Sequence, residues 1–390
     1  MKKSSKTEKH ADRAHAVLSA SSAERWLNCT PSAMMCDKIP NVSSSYAEEG
    51  TLAHEIAEYA ILYMAKKISK KDYSEVIQAY KENEHWYEGI VEDLEPYVMH
   101  VVEQINLPGA VWEQEKKTDL TAFIPNGFGT TDAAVIAEGV LYITDLKFGR
   151  GVRVNAVDNS QLKLYAAGVL IEYDTIYDIH TIRLAISQPR IGALSFWDIT
   201  PAELLKWAEE FVKPTAQIAA RGEGQHKTGD WCKFCRAKIH CPAIKAEATM
   251  MAEQDFSELA SLSPEDSEET LIQLYRMADR VEDFLDAIKA HVYQQALGGK
   301  KWPGLKLVEG KSNRKIVDEK AAVEALLDAE YDATEFTNTK IKGIGDLETL
   351  LGKEQFGILL GPYVEKPKGK ATLVDESDKR PEISSANDFD

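Results

Sequence analysis

Two carboxylates and a lysine occupy matching positions in a stretch that has the pattern of a β-hairpin. If Glu138–Gly139 is a two-residue turn, residues equally distant from it face each other on the two strands. Asp132 and Asp145 form such a pair, with Cβ atoms expected about 5 Å apart. Lys147 follows Asp145 by two positions, so strand alternation places all three side chains on one face.

These three charged groups lie among apolar strand residues, where burial is costly unless the charges bind a partner. Both faces of the second strand are mostly apolar, which is typical of a central strand covered on two sides. Carboxylates are ligands that Mg²⁺ and Mn²⁺ prefer, and such a metal activates water and stabilises charge on a phosphoryl group. The alternative is a salt-bridged strand end at which Asp145 and Lys147 are merely solvated.

Two helical pairs add side chains of related chemistry. His54 and Glu58 stand at i and i+4 of a predicted helix, so both could meet one metal or phosphate. Taken alone, a helical histidine is more often structural than a ligand, and Glu58 could be only its exposed partner. Gln161 and Tyr165 share a face of the helix predicted after the hairpin, although Tyr165 alone fits an ordinary residue at the edge of the core.

Four short motifs follow one another in the chain: Gly50-Thr51-x-x-His54, Gly129-Thr130-Thr131-Asp132, Asp145-Leu146-Lys147 and Gln161-x-x-x-Tyr165. Each is weak alone, but together and in this order they resemble the PD-(D/E)xK nuclease superfamily, specifically its RecB-like branch. The resemblance covers residues 16–245. It implies an α/β fold with a restriction-endonuclease-like core, in which helices flank a mixed central sheet, followed by a mostly helical C-terminal region.

The resemblance also implies a role for each matching residue. Mg²⁺ or Mn²⁺ would be held by the carbonyl of Leu146 and by the side chains of His54, Asp132 and Asp145. The implied catalytic residues are Lys147, Asp145 and Asp132, supported by Gln161 and Tyr165.

A further carboxylate is available on the strand predicted before the hairpin. Glu113 or Glu115 could join the metal ligands. The family pattern does not choose between them, so neither belongs to the core set.

The five cysteines form a second constellation. Their number is odd, and an intracellular setting disfavours a disulfide framework. Three of them share one short segment, and the fourth must be brought near by the fold; these are Cys232, Cys235, Cys241 and Cys29. Four thiolates suit Zn²⁺ as well as an iron–sulfur cluster, with His240 as an alternate zinc ligand, and spacing does not decide between them. Cys36 is expected to be a free buried thiol.

The layout of one cysteine before the core and three after it resembles AddB-type and CRISPR-associated nucleases of the RecB-like branch. That resemblance implies a [4Fe–4S] cluster held by Cys29, Cys232, Cys235 and Cys241, with Zn²⁺ as the alternative. Cys29 and Cys232 lie on either side of the nuclease unit in the sequence. The cluster is therefore expected to act as a staple, that is, to link the N-terminal helix to the segment after the core.

Length and composition are consistent with an enzyme of this kind. The chain has 390 residues, of which 44% are hydrophobic, enough for two or three domains. Neither a membrane-spanning apolar run nor a signal-peptide core is found, so we expect a protein of the bacterial host cytoplasm without membrane contact. A net charge of −17 argues against non-specific coating of nucleic acid but allows one local basic channel.

The expected organisation has four parts: a disordered basic arm (1–15), the nuclease domain closed by the cysteines (16–245), a mostly helical region (246–365) and an extended or disordered tail (366–390). The C-terminal part, with Gly361-Pro362-Tyr363, resembles an uncharacterised family encoded by phages and prophages.

Local signals predict where some elements begin. A capping box, Ser21 to Glu24, predicts the first helix, and Gly50 is expected to open the second. Thr200 predicts a further helix, since proline follows it and glutamate lies three residues on. Beyond the long helix from Ser263, we expect a small β element at 306–317 and helices at 318–327 and 345–360.

These features predict a metal-dependent DNA nuclease. The expected activity is that of an exonuclease acting on ends or single strands, with phage replication or recombination proteins as partners. The alternatives are a non-catalytic DNA-binding or assembly subunit that retains the fold, and a zinc-stapled interaction protein.

Overall fold

A five-stranded mixed sheet lies at the centre of the part of the chain that the structure describes. This computed structural model describes residues 16–41, 45–151, 153–253 and 264–303, with the single positions 305 and 352. The strands β1 to β5 are Val111–Asp119, Phe128–Ala137, Val140–Leu146, Thr181–Gln188 and Ala193–Ile199. Strands that follow one another in the chain are neighbours in the sheet; β3 and β4 pair in parallel, and the other pairs are antiparallel.

The helices before and within the sheet are α1 to α6: Ala23–Asn28, Ser32–Asp37, Ser45–Met64, Lys70–Tyr80, Ile90–Ile105 and Ser160–Tyr173. Those after the sheet are α7 to α10: Pro201–Trp207, Lys213–Ala220, Pro242–Glu253 and Pro264–Leu297. A π-helical turn, Ala208–Val212, joins α7 to α8. The parallel pair of strands needs a crossover connection, which α6 supplies.

Helices cover both faces of the sheet. On one face α6 packs with α1, α7 and α8 on apolar side chains that include Leu141 and Ile143. On the other face α3 and α5 pack against Ala133 and Leu146. Successive residues of a strand point to opposite faces of the sheet, so the residues on one face of β3 alternate with those on the other. This α/β arrangement confirms the predicted fold class and is compatible with a restriction-endonuclease-like core.

Most predicted elements are confirmed. The two hairpin strands form as predicted. So does the helix after the hairpin, α6, which begins after Asn159, whose side chain accepts the N–H of Leu162. The capping box of Thr200 and Glu203 is also formed. Both signals lie within a few residues of the helix start that they predict.

Two predicted helix starts are wrong. No capping box forms at Ser21, because Ala20–Ser22 is a 3₁₀ turn and α1 begins only at Ala23, without a side-chain cap on Ser22. The predicted opening at Gly50 lies inside α3, which begins at Ser45. The first turn of α3 is exposed and carries no apolar stripe, so hydrophobic periodicity could not detect it.

Several predictions lie outside the described residues. They are the basic arm at 1–15, the β element at 306–317, the helices at 318–327 and 345–360, and the tail at 366–390. The chain divides into two units, Met1–Leu307 and Val308–Asp390, and nearly all described residues belong to the first. The four-part division of the chain stays a prediction.

Within the described part of the chain, none of the helices combines the length and the apolar character needed to cross a membrane.

Two glycines offer a paired test of helix packing. A methyl group on Gly168 of α6 would lie 2.4 Å from Thr118 Cγ2 and 2.8 Å from the Asp119 carbonyl oxygen, so Gly168→Ala forces α6 away from β1. We expect it to lower the free energy of unfolding by about 1–3 kcal/mol. A methyl group on Gly50 of α3 meets nothing within 4 Å, and Gly50→Ala should raise that free energy by about 0.5–1 kcal/mol. Urea unfolding measures both, and equal effects would contradict the packing of α6 on β1.

Candidate functional site

A cavity of about 190 Å³ opens where β2 and β3 meet α6 and α3. Its lining contains all the catalytic and metal-site side chains predicted from the sequence: His54, Asp132, Asp145, Lys147, Gln161 and Tyr165. Glu58 is not part of this lining; the backbone carbonyl of Glu58 accepts a hydrogen bond from Gln114 instead. The residues come from four elements, so only the folded sheet brings them together.

The β2–β3 hairpin has the predicted register. Ala133 pairs with Thr144 and Ala137 with Val140, so Asp132 and Asp145 continue the same alignment by one position. The turn residues Glu138 and Gly139 both have positive φ, 51° and 76°. Positive φ at both central residues is the mark of a type I′ turn, whose twist matches that of the two strands.

Gln161 joins the predicted catalytic lysine to the second aspartate. Its side-chain amide donates to Asp145 Oδ1 (2.9 Å), and its side-chain oxygen accepts from Lys147 Nζ (3.0 Å). The ammonium of Lys147 also lies 2.8 Å from Asp145 Oδ2. Gln161 further donates to the hydroxyl of Tyr165 (3.2 Å), one turn along α6. These contacts hold Lys147 in one orientation at the end of β3.

The first aspartate faces a different set of groups. Asp132 Oδ2 accepts the backbone N–H of Leu146 (2.7 Å) and lies 3.5 Å from Nδ1 of His54. The same His54 nitrogen lies 3.7 Å from a carboxylate oxygen of Glu115. One donor atom from each of His54, Glu115 and Asp132 falls within 4.8 Å of the others, a spacing at which three ligands can share one metal ion.

Burial and neighbouring charge shift the pKa values of this site. Burial raises the pKa of Asp132 to about 7; His54 opposes this rise, and Asp145 and Glu115 add to it. Burial lowers the pKa of His54, but Asp132 and Glu115 outweigh burial and raise that pKa to about 9. Burial likewise lowers the pKa of Lys147, and Asp145 and Asp132 overcome it, so the pKa of Lys147 lies above its ordinary value. Lys147 is therefore a cation at neutral pH.

Of the two glutamates of β1, Glu115 joins His54 and Asp132 in the group of possible metal ligands, and Glu113 does not. Glu113 instead contacts Lys116 and accepts the hydroxyl of Tyr173 (2.8 Å). Glu115 has a positive φ of 48°, which interrupts the strand alternation and lets Glu113 and Lys116 meet on one face. A non-glycine residue in this conformation is strained. The alternation of side chains along a strand could not have identified Glu115 as the possible ligand, because its position depends on this backbone conformation.

The structure explains why glycine stands at position 129, the first position of the Gly129-Thr130-Thr131-Asp132 motif. A Cβ atom on Gly129 would lie 2.7 Å from Cε1 of Tyr165. Only glycine lets the start of β2 approach α6 this closely, and that approach forms one wall of the cavity.

The four cysteines predicted to act together line a second, smaller cavity of about 10 Å³: Cys29, Cys232, Cys235 and Cys241. All are at most 8% exposed. Cys29 lies at the end of α1. Because it lines the same cavity as the other three cysteines, the fold does bring it to them. His240 is not part of this lining, whereas His226, which the sequence did not single out, is.

Cys36 is buried, as predicted, but it is not isolated. Its sulfur lies 3.7 Å from that of Cys235 and accepts a hydrogen bond from the guanidinium of Arg25. Cys36 does not line the cavity shared by the other four cysteines, so it stands beside that group rather than within it.

The solved structures that are similar to this chain include one described as "Crystal structure of SSO0001". The two chains are 12% identical, and the match covers 48% of this chain and 85% of that chain with a TM-score of 0.25. Among protein families, residues 15–381 match the family described as "Protein of unknown function (DUF2800)". The match spans most of the chain, so this protein belongs to that family.

Proposed function

We propose that this protein is a metal-dependent DNA nuclease, and specifically an exonuclease that acts on ends or single strands during phage DNA replication or recombination. One observation carries the proposal. His54, Glu115 and Asp132 place three donor atoms within 4.8 Å of one another, and the cavity lined by His54 and Asp132 also holds Asp145 and a lysine that Gln161 keeps in place. Structural ion pairs do not need such a concentration of like charge, and a buried carboxyl group whose pKa is raised, as burial raises that of Asp132, is typical of functional sites.

The donor set supports a divalent cation. His54, Glu115 and Asp132 offer one nitrogen and two carboxylate oxygens within 4.8 Å of one another. Oxygen ligands suit Mg²⁺, and Mn²⁺ also accepts imidazole. A cation here would stabilise the ionised form of Asp132, whose pKa burial raises to about 7.

When bound, such a cation lowers the pKa of water and stabilises negative charge on a phosphoryl group. The chain's own residues supply the rest. The ammonium of Lys147 is held between Asp145 and Gln161, from where it can orient the attacking water or stabilise the pentavalent phosphorane. Attack of water on phosphorus in line with the P–O3′ bond breaks that bond. The products are a 5′-phosphate and a 3′-hydroxyl, whose oxygen takes up a proton.

We also propose that Cys29, Cys232, Cys235 and Cys241 hold a [4Fe–4S] cluster. Their convergence on one buried cavity supports this, since Cys29 is distant from the other three in sequence. Zinc has the same thiolate preference and is the alternative cofactor. Either cofactor would tie the end of α1 to the segment that follows α8.

Two glutamates of β1 allow a matched test of the cation site. We expect Glu115→Gln to weaken Mn²⁺ binding roughly tenfold or more, because it removes a donor oxygen. Asp132→Asn should abolish binding. Glu113→Gln lies two residues away on the same strand, contacts Lys116 rather than the pocket, and should leave the affinity unchanged. Isothermal titration calorimetry measures all three, and equal effects of the two glutamate substitutions would argue against the site.

The nuclease activity is tested on linear, nicked, circular and single-stranded DNA with Mg²⁺ or Mn²⁺. We expect Lys147→Ala and Asp145→Ala to lower kcat by roughly 10²–10³ or more, the cost of losing one electrostatic group in a preorganised site. Lys206→Ala, at an exposed position of α7, should have no effect.

The opposite result has a clear meaning for the proposed function. If the wild type cleaves none of these substrates while its cysteine cofactor is in place, the enzymatic proposal fails. If the inert protein still binds DNA, a non-catalytic DNA-binding or assembly subunit is favoured instead.

The staple is tested by cysteine substitutions. We expect Cys232→Ser to lower the melting temperature more than Lys147→Ala does, since it removes a link between distant segments. Anaerobically purified wild type should show the visible absorption of an iron–sulfur cluster, whereas a colourless protein containing zinc would identify the alternative. Cys36→Ser should retain the absorption that Cys232→Ser loses. Equal melting temperatures for Cys232→Ser and Lys147→Ala would count against the staple.

A further inference from the structure

The cysteine segment presents an aromatic side chain to solvent. Phe234 lies between Cys232 and Cys235, and it is 79% exposed although both cysteines are only 8% exposed. Local hydrogen bonds fix the backbone here: the N–H of Cys235 donates to the carbonyl of Cys232 (3.0 Å). The ring is thus exposed on a hydrogen-bonded turn, without the burial that phenylalanine usually gains.

Phe234 lines a groove that adjoins the catalytic cavity. This groove, of about 420 Å³, is also lined by Trp231 and Arg236 of the same segment. It shares Ala16, Ser19 and Ser21 with the catalytic cavity. The two spaces therefore border the same short stretch that precedes α1, so a chain-like ligand in one lies close to the other.

Charge identifies the kind of ligand that this surface suits. Residues 231–245 contain four basic side chains, Lys233, Arg236, Lys238 and Lys245, and no aspartate or glutamate, in a chain whose net charge is −17. The groove lining itself is balanced, since it combines two arginines with Glu24 and Asp37. The excess of positive charge therefore belongs to the cysteine segment. A polyanion that also offers flat apolar faces complements an aromatic ring beside cationic groups.

We propose that Trp231, Phe234 and Arg236, here termed the Phe234 platform, bind the single DNA strand that leads into the catalytic cavity. An unpaired nucleobase stacks on Phe234, and the adjacent phosphate lies against Arg236. Base stacking requires a base whose face is free, so the platform selects single strands and frayed ends over paired duplex. The inference rests on the proposed nuclease function and gives the cysteine segment a role in substrate binding besides any structural one.

A strand with a single 2-aminopurine tests the stacking directly. The fluorescent base is placed at successive positions from one end of an oligodeoxythymidylate, and binding is measured with Ca²⁺ in place of Mg²⁺. We expect one or two adjacent positions to be quenched by wild type, unquenched by Phe234→Ala and quenched again by Phe234→Trp. Phe211→Ala is the matched control, because Phe211 is also exposed (45%) but lines neither space.

Kinetics with Mg²⁺ supply the second readout. Phe234→Ala should raise KM for single-stranded DNA roughly tenfold, the usual effect of losing one stacked base. Its activity on a small chromogenic phosphodiester, too short to reach the platform, should be unchanged. Arg236→Gln should reduce the salt dependence of DNA binding. The melting temperature and visible spectrum of each variant show whether the cysteine cofactor is intact. If Phe234→Ala loses the cofactor, Arg236→Gln tests the platform in its place.

The outcomes separate this inference from the proposed function. If wild type cleaves DNA but no 2-aminopurine position depends on Phe234, the platform is wrong and the nuclease stands. An equal dependence on Phe234 with blunt duplex would overturn the preference for unpaired bases. If wild type cleaves nothing, the nuclease proposal fails, and a quench that depends on Phe234 still supports the platform as a DNA-binding surface.

Discussion

Burial of two carboxylates at the end of the β2–β3 hairpin is the constraint around which the site is organised. Asp132 and Asp145 are 7% and 2% exposed, and like charges at such depth repel each other with little screening by water. Each therefore needs its own donors. Asp132 has the backbone N–H of Leu146, and Asp145 has the amide of Gln161 and the ammonium of Lys147. The charged groups are thus paired in a fixed arrangement rather than solvated.

This arrangement depends on the close approach of α6 to the sheet. Gln161 reaches both Asp145 and Lys147 because its helix lies against β2, where Gly129 leaves room for the ring of Tyr165. The approach is stabilised by the apolar residues that α6 buries on the sheet. Packing energy of the core therefore positions the polar side chains, and their hydrogen bonds determine only the final orientation.

Sequence reasoning succeeded for the register of the β2–β3 hairpin, whose determinants are local. A two-residue turn sets the strand register, because a slip by one residue would move every apolar side chain to the other face. It failed where a contact depends on backbone conformation or on distant packing. The choice of Glu115 follows from a positive φ that strand alternation does not encode, and the contact of Cys36 with Cys235 depends on how α2 is packed. The exposed first turn of α3 carries no periodic signal at all.

The short stretch before α1 connects the catalytic cavity to the cysteines. Ser19 lines the cavity, and its carbonyl accepts the indole N–H of Trp26 (3.0 Å), a residue of α1 that is 0% exposed. Three residues after Trp26, Cys29 ends the same helix and faces the other cysteines. Because a buried, hydrogen-bonded tryptophan allows little movement, α1 transmits the position of Cys29 to the wall of the cavity. Under the proposed function, a cofactor bound to Cys29 would therefore also fix the position of Ser19 in the wall of the catalytic cavity.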